Sequence, residues 1–219
     1  MDFFIEYTSK TTGRDKLYRV TQYACKVIGW SLQNSSGYED VVAKLAKVES
    51  HSSTTRKFFR LGRSLESLRN AQKTVHLADP VLRTTLTIAH LNRALFLAID
   101  HYLWLGRVGV VKVDKKWDLS ASRYYLASII ITLVRDLYAI YVGMERSKRE
   151  GKRSSFLVRL CYADPAATVD LVRNVCDYPI PASKLGFFPK HNGLVGVLGL
   201  ISSILGAYQF ANPKYKPKP

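Results

Sequence analysis

The chain has 219 residues, 47% of them apolar, and 33 Lys and Arg against 17 Asp and Glu give it a formal net charge of +16. That length holds one domain or two small ones with a sizeable core, and the composition excludes a globally disordered chain. The charge points to a polyanionic partner: nucleic acid, an anionic lipid surface or an acidic protein.

In chain order, the opening "MDFFIEYTSK" is acidic and has no basic region ahead of an apolar core, so it does not read as a secretory signal. "GRDKLYRVTQYACKVIGWSL" sets Leu17, Val20, Ala24 and Val27 on one helical face, with Arg19, Gln22 and Lys26 largely elsewhere. "YEDVVAKLAKV" does the same with Val41, Leu45 and Val48, and the "NSSG" between the two reads as a loop. Its Asn34-Ser35-Ser36 matches a glycosylation sequon that is expected to be unused without a signal peptide.

The segment "STTRKFFRLGRSLESLRNAQK" carries the most information. A helical wheel gathers Phe58, Leu61, Leu65 and Leu68 in one narrow arc, with Phe59 at its border and Arg56, Lys57, Arg60 and Arg63 mainly across from it. This is the layout of an interfacial helix, whose apolar side chains enter the acyl region while its cations meet lipid phosphates. A surface helix docking its leucines on a protein core has the same pattern. Gly62 works against helix within it.

"ADPVL" starts a helix, with Asp79 as cap and Pro80 at the first helical position, and "ADPAATVDLV" repeats the device with Asp164 and Pro165. Between them lie two long segments. In Val81–Leu105, Arg83, His90, Arg93, Asp100 and His101 gather on one side, and Val81, Ile88, Leu91, Leu95, Ile99 and Leu103 on the other. Tyr124–Met144 holds "SIIITLV" but also Arg135 and Asp136. Both read as amphipathic or re-entrant, and as full spans only where their polar faces pair. "MERSKREGKRSS", residues 144–155, reads as a charged linker, and "YPIP" ends the helix that begins at Asp164.

Gly193 to Ala211 has no charged residue. As a helix it would be about 28 Å long, close to the hydrocarbon thickness of a bilayer. Small residues four apart, Gly199 with Ser203 and Ser202 with Gly206, suit close helix packing inside a membrane. The expected fold is all-α: a membrane-associated protein with N-terminal amphipathic helices and a C-terminal transmembrane helix. Its expected divisions are an N-terminal amphipathic region (1–78), a membrane-associated helical pair (79–143), a basic linker (144–155), and a C-terminal helix, transmembrane helix and basic tail (156–219).

Five stretches together resemble the peroxisomal membrane protein 11 family, the eleventh peroxin. They are "GRDKLYRVTQYACK", "RKFFRLGRSLES", "HLNRALFLAIDHYLWLGRVG", "KWDLSASRYYLASIIITLVRD" and "GLVGVLGLISSILG", in the family's order over nearly the whole chain. It looks most like the animal alpha and beta forms, although the 144–155 linker is shorter than those forms usually have. The resemblance implies an integral peroxisomal membrane protein, with its N-terminus in the cytosol, that drives proliferation, membrane elongation and fission of the organelle. It assigns the leaflet-inserting helix to Arg56, Lys57, Phe58, Phe59, Arg60, Leu61, Arg63, Leu65 and Leu68. It implies anionic membrane lipids, further copies of the chain, a dynamin-related fission GTPase and tail-anchored adaptors as partners. The resemblance also implies a cytosolic C-terminus, which would require an even number of crossings, the second coming from Val81–Leu105 or Tyr124–Met144.

Other classes fit less well. A metabolite channel would use the same helices, with Arg93, Asp100, Arg135 and Asp136 lining water. A nucleic-acid binder would explain the charge, but no zinc spacing or RNP-type aromatic motif is present. The three cysteines, Cys25, Cys161 and Cys176, are far apart and form no CxxC pair, which indicates neither a zinc site nor a disulfide framework. The five histidines lack metal spacing, and no nucleophile–base or paired-carboxylate constellation assembles, so neither an enzyme nor a cofactor is expected. Ser183-Lys184-Leu185 spells a peroxisomal matrix signal, but it is internal and expected to be inert.

Overall fold

A computed structural model describes residues 1–149, 164–189 and 191–215. Its elements are α1 (Asp2–Ser9), α2 (Thr11–Leu32), α3 (Glu39–Phe59), α4 (Arg63–Thr74), α5 (Pro80–Arg107), α6 (Lys115–Arg149), α7 (Pro165–Asp177), α8 (Pro179–Leu185) and α9 (Asn192–Ala211), followed by a 3₁₀ turn at Pro213–Tyr215. All regular structure among the described residues is helical, as expected.

Both Asp-Pro starts behave as the sequence indicates. Asp79 accepts hydrogen bonds from the Val81 and Leu82 amides, and Asp164 from the Ala167 amide, satisfying otherwise orphaned N–H groups. The basic amphipathic segment is not one helix. Gly62 takes a left-handed conformation with φ of 78°, which ends the run from α3 and lets α4 begin at a new angle. Residues expected to open the 144–155 linker instead continue α6 as far as Arg149. The rest of that linker, Cys161 and the tail lysines Lys216 and Lys218 lie outside the described residues.

The helices close into a ring. α2 packs on α3, α3 and α4 on α5, α5 on α6, α6 on α7, α7 on α9, and α9 returns to α2. The α9–α2 seam is a row of glycines met by larger side chains. The Trp30 indole covers Gly193, Val27 and Lys26 cover Gly196, and the Tyr23 ring lies on Gly199. α1 is clasped to the C-terminal end of α9, with Tyr7 edge-on to Phe210 at 4.9 Å.

The ring buries charged groups and turns large apolar side chains outward on α4, α5, α6 and α9, while α3 exposes charges such as Asp40 and Lys44. Asp100 and Asp136 are 2% and 0% exposed, while Leu65 and Leu137 are 69% and 57% exposed. α5 turns Ile88, Leu91 and Leu95 outward and Leu97 and Asp100 inward. α9 turns out Leu194, Val197, Ile201 and Ile204 and buries Gly199, Ser202, Ser203 and Gln209. In water this arrangement forgoes the main driving force for folding, whereas in lipid the apolar exterior is the matched one. Among the described residues two helices, α6 and α9, are long and apolar enough to cross a membrane. The second candidate span therefore falls in the segment containing Tyr124–Met144.

Candidate functional site

The amphipathic arc spans the α3–α4 joint. Phe58, Leu61, Leu65 and Leu68 are 52%, 41%, 69% and 44% exposed. They do not dock on a core. α4 buries Ser67, Ala71 and Thr74 instead, and the Thr74 hydroxyl meets that of Thr87 on α5 at 2.9 Å. Phe59, at the border of the arc, packs its ring against Tyr18, and Phe58 leans on Trp104. Full burial of one large apolar side chain is worth about 1.5–3 kcal/mol, so the four half-exposed groups would gain on the order of 3–6 kcal/mol on entering lipid.

The cations across the arc do not point to the outside. Arg56 Nε lies 3.2 Å from Asp15 on α2, with Arg63 and Arg60 at 3.7 and 3.8 Å from the same carboxylate. Lys57 pairs with Asp100 on α5, joined there by Arg60 at 3.2 Å. Arg56 also donates to the Gln22 side chain at 2.6 Å, and His101 contacts the Arg60 carbonyl at 2.8 Å. Burial by itself would raise the Asp15 pKa. The surrounding Arg56, Arg60, Lys16 and Arg63 charges outweigh burial and hold it below the usual carboxylate value. The sequence pattern placed these cations at lipid phosphates, whereas the fold spends them on tying α3 and α4 to α2 and α5. An exposed arc and a paired basic face are both amphipathic, so the wheel alone does not distinguish the two uses.

The small residues of α9 are likewise occupied within the chain. Gly199 is filled by Tyr23, the Ser202 hydroxyl donates to Asp177, and the Ser203 hydroxyl returns to the Gly199 carbonyl. A Cβ at Gly206 would stand 3.1 Å from the Lys16 ammonium and 3.6 Å from Arg173 Cδ. The face expected to meet a neighbouring helix meets α2 and α7 of the same chain.

The rest of the ring interior was not recognised as a unit from the sequence. Arg19 pairs with Asp177, which also accepts from Tyr125 at 3.1 Å. Arg135 bridges Asp136 and Asp170, and Asn174 donates to Asp136 at 2.8 Å. Arg173 pairs with Asp170 at 2.6 Å and donates to Gln209. A usable signal was present: Asp170, Arg173, Asn174 and Asp177 recur at helical spacing in the otherwise apolar "TVDLVRNVCD". Charges within a spanning helix are tolerated when they face the bundle interior and pair, a condition that Arg135 and Asp136 on the candidate span α6 meet. Among the described residues, no group of three or more His, Cys, Asp or Glu side chains is placed to hold a metal ion.

Comparison with known proteins gives a concordant result. The family model described as Peroxisomal biogenesis factor 11 (PEX11) matches residues 1–211. The chain is 37% identical to human "Peroxisomal membrane protein 11A", covering 100% of this chain and 99% of that protein. It is 35% identical to human "Peroxisomal membrane protein 11B" over all of both chains. A more distant relative, "Peroxisomal membrane protein 11 homolog" of Dictyostelium discoideum, is 25% identical over 95% of this chain and 93% of its own length. No solved structure matches. With an all-helical ring, an apolar exterior and full-length relatives of this kind, the chain belongs to the peroxisomal biogenesis factor 11 family of peroxisomal membrane proteins.

Proposed function

We propose that this protein elongates the peroxisomal membrane ahead of fission, using the arc of Phe58, Leu61, Leu65 and Leu68 as a wedge in one leaflet. The observation that carries the reading is the exposure of these four side chains on a folded chain. A wedge works only if it cannot retract, and the ion pairs of Arg56, Lys57, Arg60 and Arg63 to Asp15 and Asp100 fix the arc to the ring. Inserting bulk into one leaflet expands it relative to the other and favours curvature. Self-association, recruitment of a dynamin-related GTPase with its tail-anchored adaptors, and a cytosolic N-terminus belong to the same proposal through the family resemblance. The test is reconstitution of full-length protein into vesicles containing anionic lipid. Wild-type protein is expected to draw tubules, and Leu65→Glu to insert through its spanning helices without doing so. Tubulation by Leu65→Glu at wild-type levels would overturn the wedge.

One observation favours a second reading, a metabolite channel: the helices close around a charged interior. Purified protein in a planar bilayer separates the two. Stepwise conductance altered by Asp100→Asn but not by Leu65→Glu supports a conduit, and silent bilayers with active tubulation remove it.

A further inference from the structure

The interior charges do not balance. Five aspartates, Asp15, Asp100, Asp136, Asp170 and Asp177, are buried there, and each is engaged by at least one cation. Two cations near enough to repel one another have no hydrogen bond or ion pair among the described residues, Lys16 on α2 and Arg93 on α5. The Lys16 ammonium reaches over Gly206, where the stem of Arg173 also lies. Arg93 is surrounded by like charges from Arg60, Arg63 and Arg173 and by Tyr125 of α6. It shares a helical face with the buried Leu86, Leu97 and Asp100, yet its own side chain is open to solvent, which points to accessible space on the inward side of α5. A third donor is also unmet: Arg19, 8% exposed, has a buried Nε with no acceptor.

Lys16 is half-buried and Arg93 open to solvent, but both stand among like charges, and proteins ordinarily relieve such crowding by pairing the cation or binding an anion there. Lys16 illustrates the strain. Burial first, then the nearby Arg173, Arg19 and Arg93, drive its pKa well below the ordinary lysine value despite the opposing effect of Asp15.

We propose that the ring interior binds an oxyanion of the phosphate class, held between Lys16 and Arg93 with Arg173 beside them. The chemistry selects phosphate over a halide. A guanidinium offers a planar fork of donors and an ammonium a compact point charge, and a tetrahedral oxyanion presents acceptor oxygens to both at once. Its charge also offsets the crowded guanidinium groups and favours the ammonium form of Lys16. The oxyanion can arrive as a soluble phosphate through the accessible space or as the headgroup of a phospholipid. This site is independent of the wedge and holds whether or not the ring conducts.

The test uses full-length protein purified in phosphate-free detergent. One arm titrates inorganic phosphate against chloride at matched ionic strength. The other titrates phosphatidic acid against phosphatidylcholine in mixed micelles. Binding is read by calorimetry and by the shift in thermal midpoint. Saturable binding by phosphate assigns a soluble ligand, and binding by phosphatidic acid alone assigns a lipid headgroup. Lys16→Met with Arg93→Met is expected to weaken the productive arm tenfold or more. Its midpoint without ligand should be unchanged or higher, because two uncompensated charges are gone. Arg83→Met, an exposed cation on the same helix as Arg93, serves as control and should bind as wild type. The proposal is overturned if neither probe binds saturably, if chloride matches phosphate, or if the double variant binds as tightly as wild type.

Discussion

Helices α4 and α9 both present large aliphatic side chains to the outside, but what holds their inner faces differs. The α3–α4 unit is held by charge, through Arg56, Lys57, Arg60 and Arg63 converging on two aspartates. α9 is held by shape, through glycines whose missing side chains admit Trp30 and Tyr23. An ion-paired face depends on protonation and on each partner being present. A glycine seam depends on volume and is indifferent to pH. The same outward surface is thus carried on two supports that fail under different insults.

The largest expected effect comes from removing a counter-charge inside the ring. Asp177→Ala strands Arg19 and leaves Tyr125 and Ser202 without their acceptor. Breaking one side of a buried pair costs about 3–5 kcal/mol. Denaturant unfolding in detergent should show this loss, and a cost within about 1 kcal/mol would mean that the interior is hydrated enough to replace the aspartate.

Overfilling the seam comes next. Gly199→Leu drives a side chain into the Tyr23 ring, and overpacking of this kind costs about 1–3 kcal/mol. Tyr23→Ala should recover part of that cost in the double variant, since residues in contact couple. Strict additivity of the two substitutions would show that α9 does not rest on α2.

The charged support should respond to acid in a way the seam does not. Asp15 has a depressed pKa, so its contribution is complete above the unfolded value of about 3.9 and is lost as pH falls through the lower folded value. Crosslinking between α2 and α4 should therefore be constant from neutral pH to about 5 and decline below about 4. Crosslinking between α2 and α9 is expected to persist. Parallel loss of both would merge the two supports into one cooperative unit.

The smallest effect on folding is expected at the outside. Leu65 is 69% exposed, so Leu65→Glu should move stability by no more than about 0.5 kcal/mol. A cost above 2 kcal/mol would place Leu65 in a contact that the ring does not display.

Much of this architecture is legible from residue order. The wheel of the arc groups Phe58, Leu61, Leu65 and Leu68, all exposed, and that of α5 separates the buried Asp100 from the exposed Leu91 and Leu95. The two Asp-Pro caps are local chemistry and fall where the sequence puts them. Periodicity does not say which face meets protein and which meets solvent, because an inverted helix has the same period as an ordinary one. For that reason the cations of α3 could be expected at lipid phosphates when they are paired with Asp15 and Asp100. Those partners lie some forty residues away in either direction, and pairing at that range leaves no local mark. The break at Gly62 was only half visible: glycine lowers helix propensity, but tertiary packing decides whether the helix ends there.

The glycine seam has a consequence for how the molecule is made. It joins Tyr23 and Trp30 to Gly199 and Gly193, so the chain between must be looped before the contact forms. Closing a loop of that size costs on the order of 4–5 kcal/mol in chain entropy, and contacts of this range are late in folding. Until then the incomplete ring is a crescent whose charged inner edge is uncovered. A crescent of this kind is stable beside water and costly within lipid. Assembly is therefore expected to have a direction, with α9 docking on α2 before or during immersion of the ring in lipid.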